Sequence, residues 1–188
     1  DFFEGTEAEG VQVRFLHDAV GCRSLKRKSF NKLKSLGGET AEFFPAIFRW
    51  INPRINYRNH RKIVVIDDKI GYVGGFNVGD DYMGKYKKMG EWRDTHMRIS
   101  GPGITGLKLR FLKDWYYATG TEADIKRDFN PNFDDENGQV AMQIVTSGPD
   151  TEFDNVKIAM IKMISKAKKE IYIQTPYFIP DESLADVV

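Results

Sequence analysis

Residues 59–77 read NHRKIVVIDDKIGYVGGFN, and this stretch constrains the fold more tightly than any other part of the chain. An apolar run, IVVI, ends at Asp67, turns at Asp68 and Lys69, and resumes as IGYVGG. Two short, β-branched runs joined by turn formers predict a buried β-hairpin. In extended backbone, side chains alternate with period two, so His60 and Lys62 project to the same side. A hairpin then returns the chain to its starting edge, which brings Asn77 back beside them.

Strands and helices alternate around this hairpin. Residues 11–16, VQVRFL, alternate apolar and polar and predict a strand. Ser24 is placed to cap a basic helix with Leu25, Leu33 and Leu36 on its apolar side, ended by Gly37 and Gly38. The sequences AEFF (41–44) and THMRIS (95–100) are further strands, whereas Pro45 and Pro53 make residues 45–58 a loop or short helix. Leu107, Phe111 and Trp115 recur at i, i+4 and i+8, the pattern of a helix of about four turns. Residues 120–139 are acidic and turn-rich, an exposed linker. Beyond it, VAMQIVTS (140–147) and EIYIQT (170–175) predict strands. Between them Asp154 is placed to cap a helix with Val156, Met160, Met163 and Ala167 on one face, and the segment after Pro176 leads into another helix. The expectation is an α/β fold with a mixed sheet flanked by helices. It divides into a first lobe (1–119), a linker (120–139) and the start of a second lobe (140–188).

Composition excludes little. With 41% hydrophobic residues, 29% charged residues and a net charge of +1, nothing global announces a nucleic-acid or membrane partner. Locally, residues 23–34 carry six basic and no acidic side chains, and residues 45–66 carry five and none. These are either a positive field over an anionic substrate or, for the first stretch, a solvated helix face. The single cysteine, Cys22, forbids an internal disulfide. No apolar run approaches the ~20 residues that span a bilayer. The opening DFFEGTEAEG has no initiator Met and reads as an entry in mid-structure, so a fragment is expected.

His60, Lys62 and Asp67 have the form H-x-K-x4-D, followed by Gly74-Gly75-Phe76-Asn77. An imidazole, an ammonium and a carboxamide around one pocket suit a phosphodiester, with a nitrogen nucleophile and donors for the non-bridging oxygens. Gly74 and Gly75 would let a phosphate approach the backbone. A lone histidine at a strand end is more often a satisfied structural residue, and H-x-K by itself does not decide between the two. The full pattern with its Gly-Asn turn does, and it resembles the signature of the phospholipase D superfamily. The similarity extends to the bacterial cardiolipin synthases in the blocks LHDAVG, NYRNHRKIVVID, GYVGGFNVGDDYMG, EWRDTHMRISGP, SGPD and IYIQTPYFIPDESL. It covers the chain from Val11 onward and is weakest in residues 1–10 and 120–139.

That resemblance implies a metal-independent, two-step phosphatidyl transfer with no cofactor. His60 would attack phosphorus and form a phosphatidyl-histidine, while Lys62, Asn77 and the Gly75 backbone hold the phosphate. Asp94, by its place in the WRDTH block, is the candidate to fix the histidine tautomer. Asp67 is expected to hold the hairpin through hydrogen bonds. The superfamily pairs two such motifs, one histidine being the nucleophile and the other handling the proton of the leaving and incoming alcohols. Here His17 has no lysine two residues on, and His96 is followed by Arg98 without the rest of the pattern. The chain is therefore expected to be about one repeat unit, out of phase and incomplete at both ends, holding half an active site. The second motif is expected from the rest of a parent chain in preference to a dimer partner.

The implied reaction joins two phosphatidylglycerols into cardiolipin and releases glycerol, at the cytoplasmic face of a bacterial membrane. Phosphatidylglycerol, other anionic phospholipids and the membrane surface are the expected partners, and nucleic acid is not. Residues 43–58 mix aromatics, Trp50 among them, with Arg54 and Arg58. They read equally as an interfacial headgroup contact or as core aromatics with solvated arginines. Two alternatives stay open. One is another phosphodiesterase of the superfamily, either a phospholipase or a single-motif dimeric nuclease. The other is a non-catalytic phosphate- or lipid-binding fragment, and the isolated residues are expected to turn over negligibly.

Overall fold

Two parallel strands and the helix between them begin the structure. Strand β1 (Arg14–Asp18) pairs with β2 (Glu39–Phe43), Arg14 lying beside Glu39 and Asp18 beside Phe43. Parallel neighbours need a crossover, and α1 (Arg27–Ser35) supplies it. The strand starts later than the alternation in VQVRFL suggests, because pairing with β2 sets its ends. The computed structural model describes residues 10–23, 25, 27–44, 58–85, 90–121, 140–148, 151–175 and 177–188. The expected cap Ser24, the loop 45–57 and linker residues 122–139 lie outside them.

Helix α1 closes with a Schellman motif. Gly37 takes φ 101°, its N–H donates to the Lys34 carbonyl at 3.1 Å, and the Gly38 N–H donates to the Leu33 carbonyl at 3.0 Å. Leu33 is fully buried, but Leu25 and Leu36, expected beside it, are exposed. Both lie outside the helix proper, so helical spacing does not carry them to the same face.

The hairpin forms as β3 (Ile63–Ile66) and β4 (Ile70–Gly74), and β5 (His96–Ser100) adds antiparallel to β4. At the turn the Lys69 N–H donates to the Ile66 carbonyl at 3.0 Å. Asp67 and Asp68 both take positive φ, 51° and 56°, as a mirror-image hairpin turn requires, and Asp tolerates that region. The hairpin is half-buried rather than buried: Val64 and Ile66 are exposed, while the other face packs on a helix.

That helix is α2 (Ile104–Thr119), which packs against β2, β3 and β4. Ile104, Leu107, Leu112 and Trp115 of α2 are buried together with Ala41 and Ile99, each such side chain contributing roughly 1.5–3 kcal/mol. A Cβ added at Gly71 would come within 3.0 Å of Leu107 Cδ1, so the glycine lets α2 lie close on β4. Gly120, at φ 66°, ends the helix by donating its N–H to the Tyr116 carbonyl at 2.8 Å. The α/β architecture expected from the sequence is present, and among the described residues its parallel and antiparallel pairings form two sheets that both contact α2.

The chain divides into two compact units, Asp1–Met142 and Gln143–Val188. The second contains α3 (Asn155–Lys166) and α4 (Glu182–Ala185). Asp181 caps α4 by accepting the Leu184 N–H at 3.1 Å and also receives Lys157 from α3. Asp154 makes no side-chain cap on α3, and Val156 and Met163 are exposed, so the expected apolar face is not covered. Residues 140–147 and 170–175 form no ladder with any described residue. Alternation prepares a segment for a sheet, but only a hydrogen-bonded neighbour makes it a strand. Among the described residues, no helix is long and apolar enough to cross a membrane.

Candidate active site

His60 and Lys62 occupy the approach to β3 and not the strand itself, which starts at Ile63. Period-two alternation nonetheless holds. Asn59, Arg61 and Ile63 line a cavity with Leu16, His17, Asp18 and Asp114, and His60 and Lys62 are absent from that lining. His60 is exposed, and Lys62 curls back so that its Nζ donates to the His60 carbonyl at 2.7 Å.

Asp94 lies against the far edge of this group. Its Oδ1 accepts the Thr95 N–H at 2.7 Å, and a Cβ built on Gly75 would sit 2.3 Å from the same oxygen. Gly74 is equally crowded: a Cβ there would come 2.4 Å from the Thr95 carbonyl and 2.6 Å from His96 Nδ1. Both glycines therefore admit β5 and the residues before it. At Gly75 the room a side chain would take holds the Asp94 carboxylate. Burial pushes the Lys62 pKa below the usual lysine value, and the Asp94 charge pulls it partly back. Lys62, Asp94 and Gly75 thus share one neighbourhood. Among the described residues no hydrogen bond joins the His60 ring to Asp94.

Asn77 follows β4 and donates its amide to the Tyr82 hydroxyl. Tyr82 is itself held edge-on by Phe76, with ring centroids 5.4 Å apart, and by Trp92 at 4.8 Å. Asp67 sits at the hairpin turn, about 16 Å along β3 from Lys62 at ~3.3 Å per residue. The side chain that anchors the turn is its neighbour's: Lys108 Nζ meets Asp68 Oδ2 at 2.5 Å. Arg58, read equally as a headgroup contact or a solvated arginine, lies beside Asp18, with Nε 3.6 Å from Oδ1. Trp50 and Arg54 lie outside the described residues. His96 is an exposed β5 residue opposite Gly74. His17 stacks on Phe30 at 4.4 Å, and burial lowers its pKa.

Sequence reasoning missed Asp18 and Asp114. Asp114 is only 3% exposed and receives Arg61 Nη1 at 3.4 Å, Asn59 Nδ2 at 3.3 Å and the Arg110 guanidinium. The signal was present, since Asp114 stands at i+7 from Leu107, a position on the buried stripe of α2. A charge on an apolar stripe needs partners.

An H-x-K-x4-D hairpin backed by a helix, beside a parallel βαβ unit, is the architecture of a phospholipase D-like lobe. No protein-family model matches the chain. It is 53% identical over 182 residues to the major cardiolipin synthase ClsA of Bacillus subtilis (strain 168), covering 96% of this chain and 37% of that protein. It is 47% identical over 186 residues to a cardiolipin synthase of Listeria innocua, covering 98% of this chain and 38% of that protein. It is 49% identical over 181 residues to cardiolipin synthase 2 of Staphylococcus epidermidis, covering 96% of this chain and 37% of that protein. The chain is therefore a homologue of the bacterial cardiolipin synthases along almost its whole length, and it spans a little over a third of theirs.

Proposed function

We propose that this chain carries one half of the active site of a cardiolipin synthase. The observation that carries the reading is the conjunction of an exposed His60, its Lys62 neighbour and near end-to-end similarity to cardiolipin synthases. In the first step a ring nitrogen of His60 attacks the phosphorus of phosphatidylglycerol. The bond from phosphorus to the headgroup glycerol breaks, and the glycerol leaves with a proton from a second acid. In the second step a hydroxyl of another phosphatidylglycerol's headgroup attacks the phosphatidyl-histidine, gives its proton to that same group, and frees His60 with cardiolipin as product. Lys62 and Asn77 hold the non-bridging oxygens as charge builds on them. Asp94 favours the charged form of Lys62 against the effect of burial and packs against Gly75. The second acid–base histidine comes from another H-x-K-x4-D motif, since this sequence has only one. The reaction takes place at the membrane surface, on its cytoplasmic side, where both substrates reside.

The test uses the intact protein with phosphatidylglycerol vesicles. Release of glycerol in step with cardiolipin, without free phosphatidic acid, is the expected result. Phosphatidic acid alone would make it a phospholipase, and cleavage of DNA in preference to lipid would make it a nuclease. His60→Ala should abolish an acid-labile phosphoryl-enzyme; its survival would reverse the roles of the two histidines. The isolated 188 residues should show negligible turnover.

A further inference from the structure

We propose that Asp114, together with Asp18, is a positioning residue for His60. The inference rests on the reading of His60 as the nucleophile. The His60 ring is exposed, so its place is set by the backbone that carries it. That backbone is fastened on both sides to two carboxylates distant in sequence. Before His60, the Asn59 N–H donates to Asp18 Oδ2 at 3.1 Å and Arg58 Nε lies 3.6 Å from Asp18 Oδ1. After it, Arg61 Nη1 reaches Asp114 Oδ2 at 3.4 Å, and from the preceding side the Asn59 side-chain amide reaches the same oxygen at 3.3 Å. The Arg61 N–H closes the loop on Asn59 Oδ1 at 3.0 Å.

Both carboxylates are themselves fixed. Asp18 Oδ1 accepts the Val20 and Gly21 N–H groups at 3.1 and 2.7 Å, at the end of β1. Asp114 is buried on α2 with Arg110 one turn earlier on its other oxygen. A buried carboxylate with two guanidiniums holds its geometry closely, because losing a partner leaves a charge out of water. The clamp lies on the cavity side of the segment, and His60 and Lys62 project from the other side. It can therefore hold the nucleophile without touching substrate. A displacement of about 1 Å at a reacting atom costs on the order of 100-fold in rate.

The test compares Asp114→Asn and Asn59→Ala with the parent sequence in the intact protein. Pre-steady-state formation of the phosphoryl-enzyme from phosphatidylglycerol is followed beside amide hydrogen exchange of residues 58–62. A positioning role predicts a burst rate lowered about 10- to 100-fold in Asp114→Asn, with burst amplitude and KM nearly unchanged. Asn59→Ala, which leaves Asp114 paired with both arginines, shows the same signature more weakly. Exchange in 58–62 speeds up in both variants while α2 and β5 keep their protection. A reduced amplitude at an unchanged rate, or loosening of α2 along with the segment, would overturn the proposal as a merely structural effect. If the parent protein forms no phosphoryl-enzyme at all, the functional reading fails. The exchange data then decide the clamp alone, and unaltered protection of 58–62 rejects it.

Discussion

The carboxylate of Asp94 rests on Gly75 so closely that a Cβ at residue 75 would lie 2.3 Å from Oδ1. The glycine and the acid are one packing unit, which joins the end of β4 to the residue before Thr95. Asp94 is exposed and its carboxylate can turn aside, so Gly75→Ala should cost little, whereas Gly74→Ala, whose Cβ would meet the Thr95 carbonyl, should destabilise the protein by about 1–3 kcal/mol. Denaturant titration measures it. In an Asp94→Ala background the cost of Gly74→Ala should stay the same, since the atoms it meets belong to Thr95 and His96.

Lys62 titrates under opposing influences, burial lowering its pKa and Asp94 raising it. The folded protein holds this proton less tightly than the unfolded chain. Stability should accordingly rise with pH between the lowered folded value and the usual 10.5, and this contribution should be flat below that interval. Asp94→Asn removes the raising influence and should extend the rise to lower pH. Carbon-13 NMR of the lysine ε-methylene, assigned with Lys62→Arg, reads the shift directly.

Tyr82 accepts the Asn77 amide and so aims the group proposed to hold a phosphate oxygen. Tyr82→Phe keeps the ring packing against Phe76 and Trp92 but frees that amide. Loss of one neutral hydrogen bond of ~1 kcal/mol should slow glycerol release about fivefold. An unchanged rate would show that substrate orients Asn77 unaided.

Leu107 of α2 is almost wholly buried and packs on Gly71 of β4. Leu107→Ala should cost about 2–5 kcal/mol in unfolding free energy. Because the same helix carries Asp114, the variant should also speed amide exchange in residues 58–62, more than an exposed change such as Lys113→Ala.

The proposed chemistry assigns the nucleophile to an imidazole and charge stabilisation to an ammonium and an amide. Chelation of divalent cations by EDTA should leave cardiolipin formation by the intact protein unchanged. A loss restored by one added metal would require a different assignment of the phosphate contacts.

Much of this was legible along the chain, because the relevant physics is local. The β-branched runs with Asp at the turn specify the hairpin, and period two separates His60 and Lys62 from Asn59 and Arg61. The i, i+4, i+8 stripe marks α2, and Gly37 with Gly38 marks the stop of α1. Residues 140–147 and 170–175 misled for the converse reason: alternation reports a readiness to pair, and pairing needs a neighbour.

What the sequence by itself determined is therefore the chemistry on offer, an imidazole, an ammonium and a carboxamide carried on one hairpin and its flanks. Only the tertiary structure decided what fastens the segment that carries His60. The bond from Asn59 to Asp18 spans 41 residues, and the pairing of Arg61 with Asp114 spans 53. No periodicity encodes such distances. Several arginines and aspartates satisfy one another equally well on paper, and the choice falls to the pair that packing buries together, where a charge without its partner is too costly to keep.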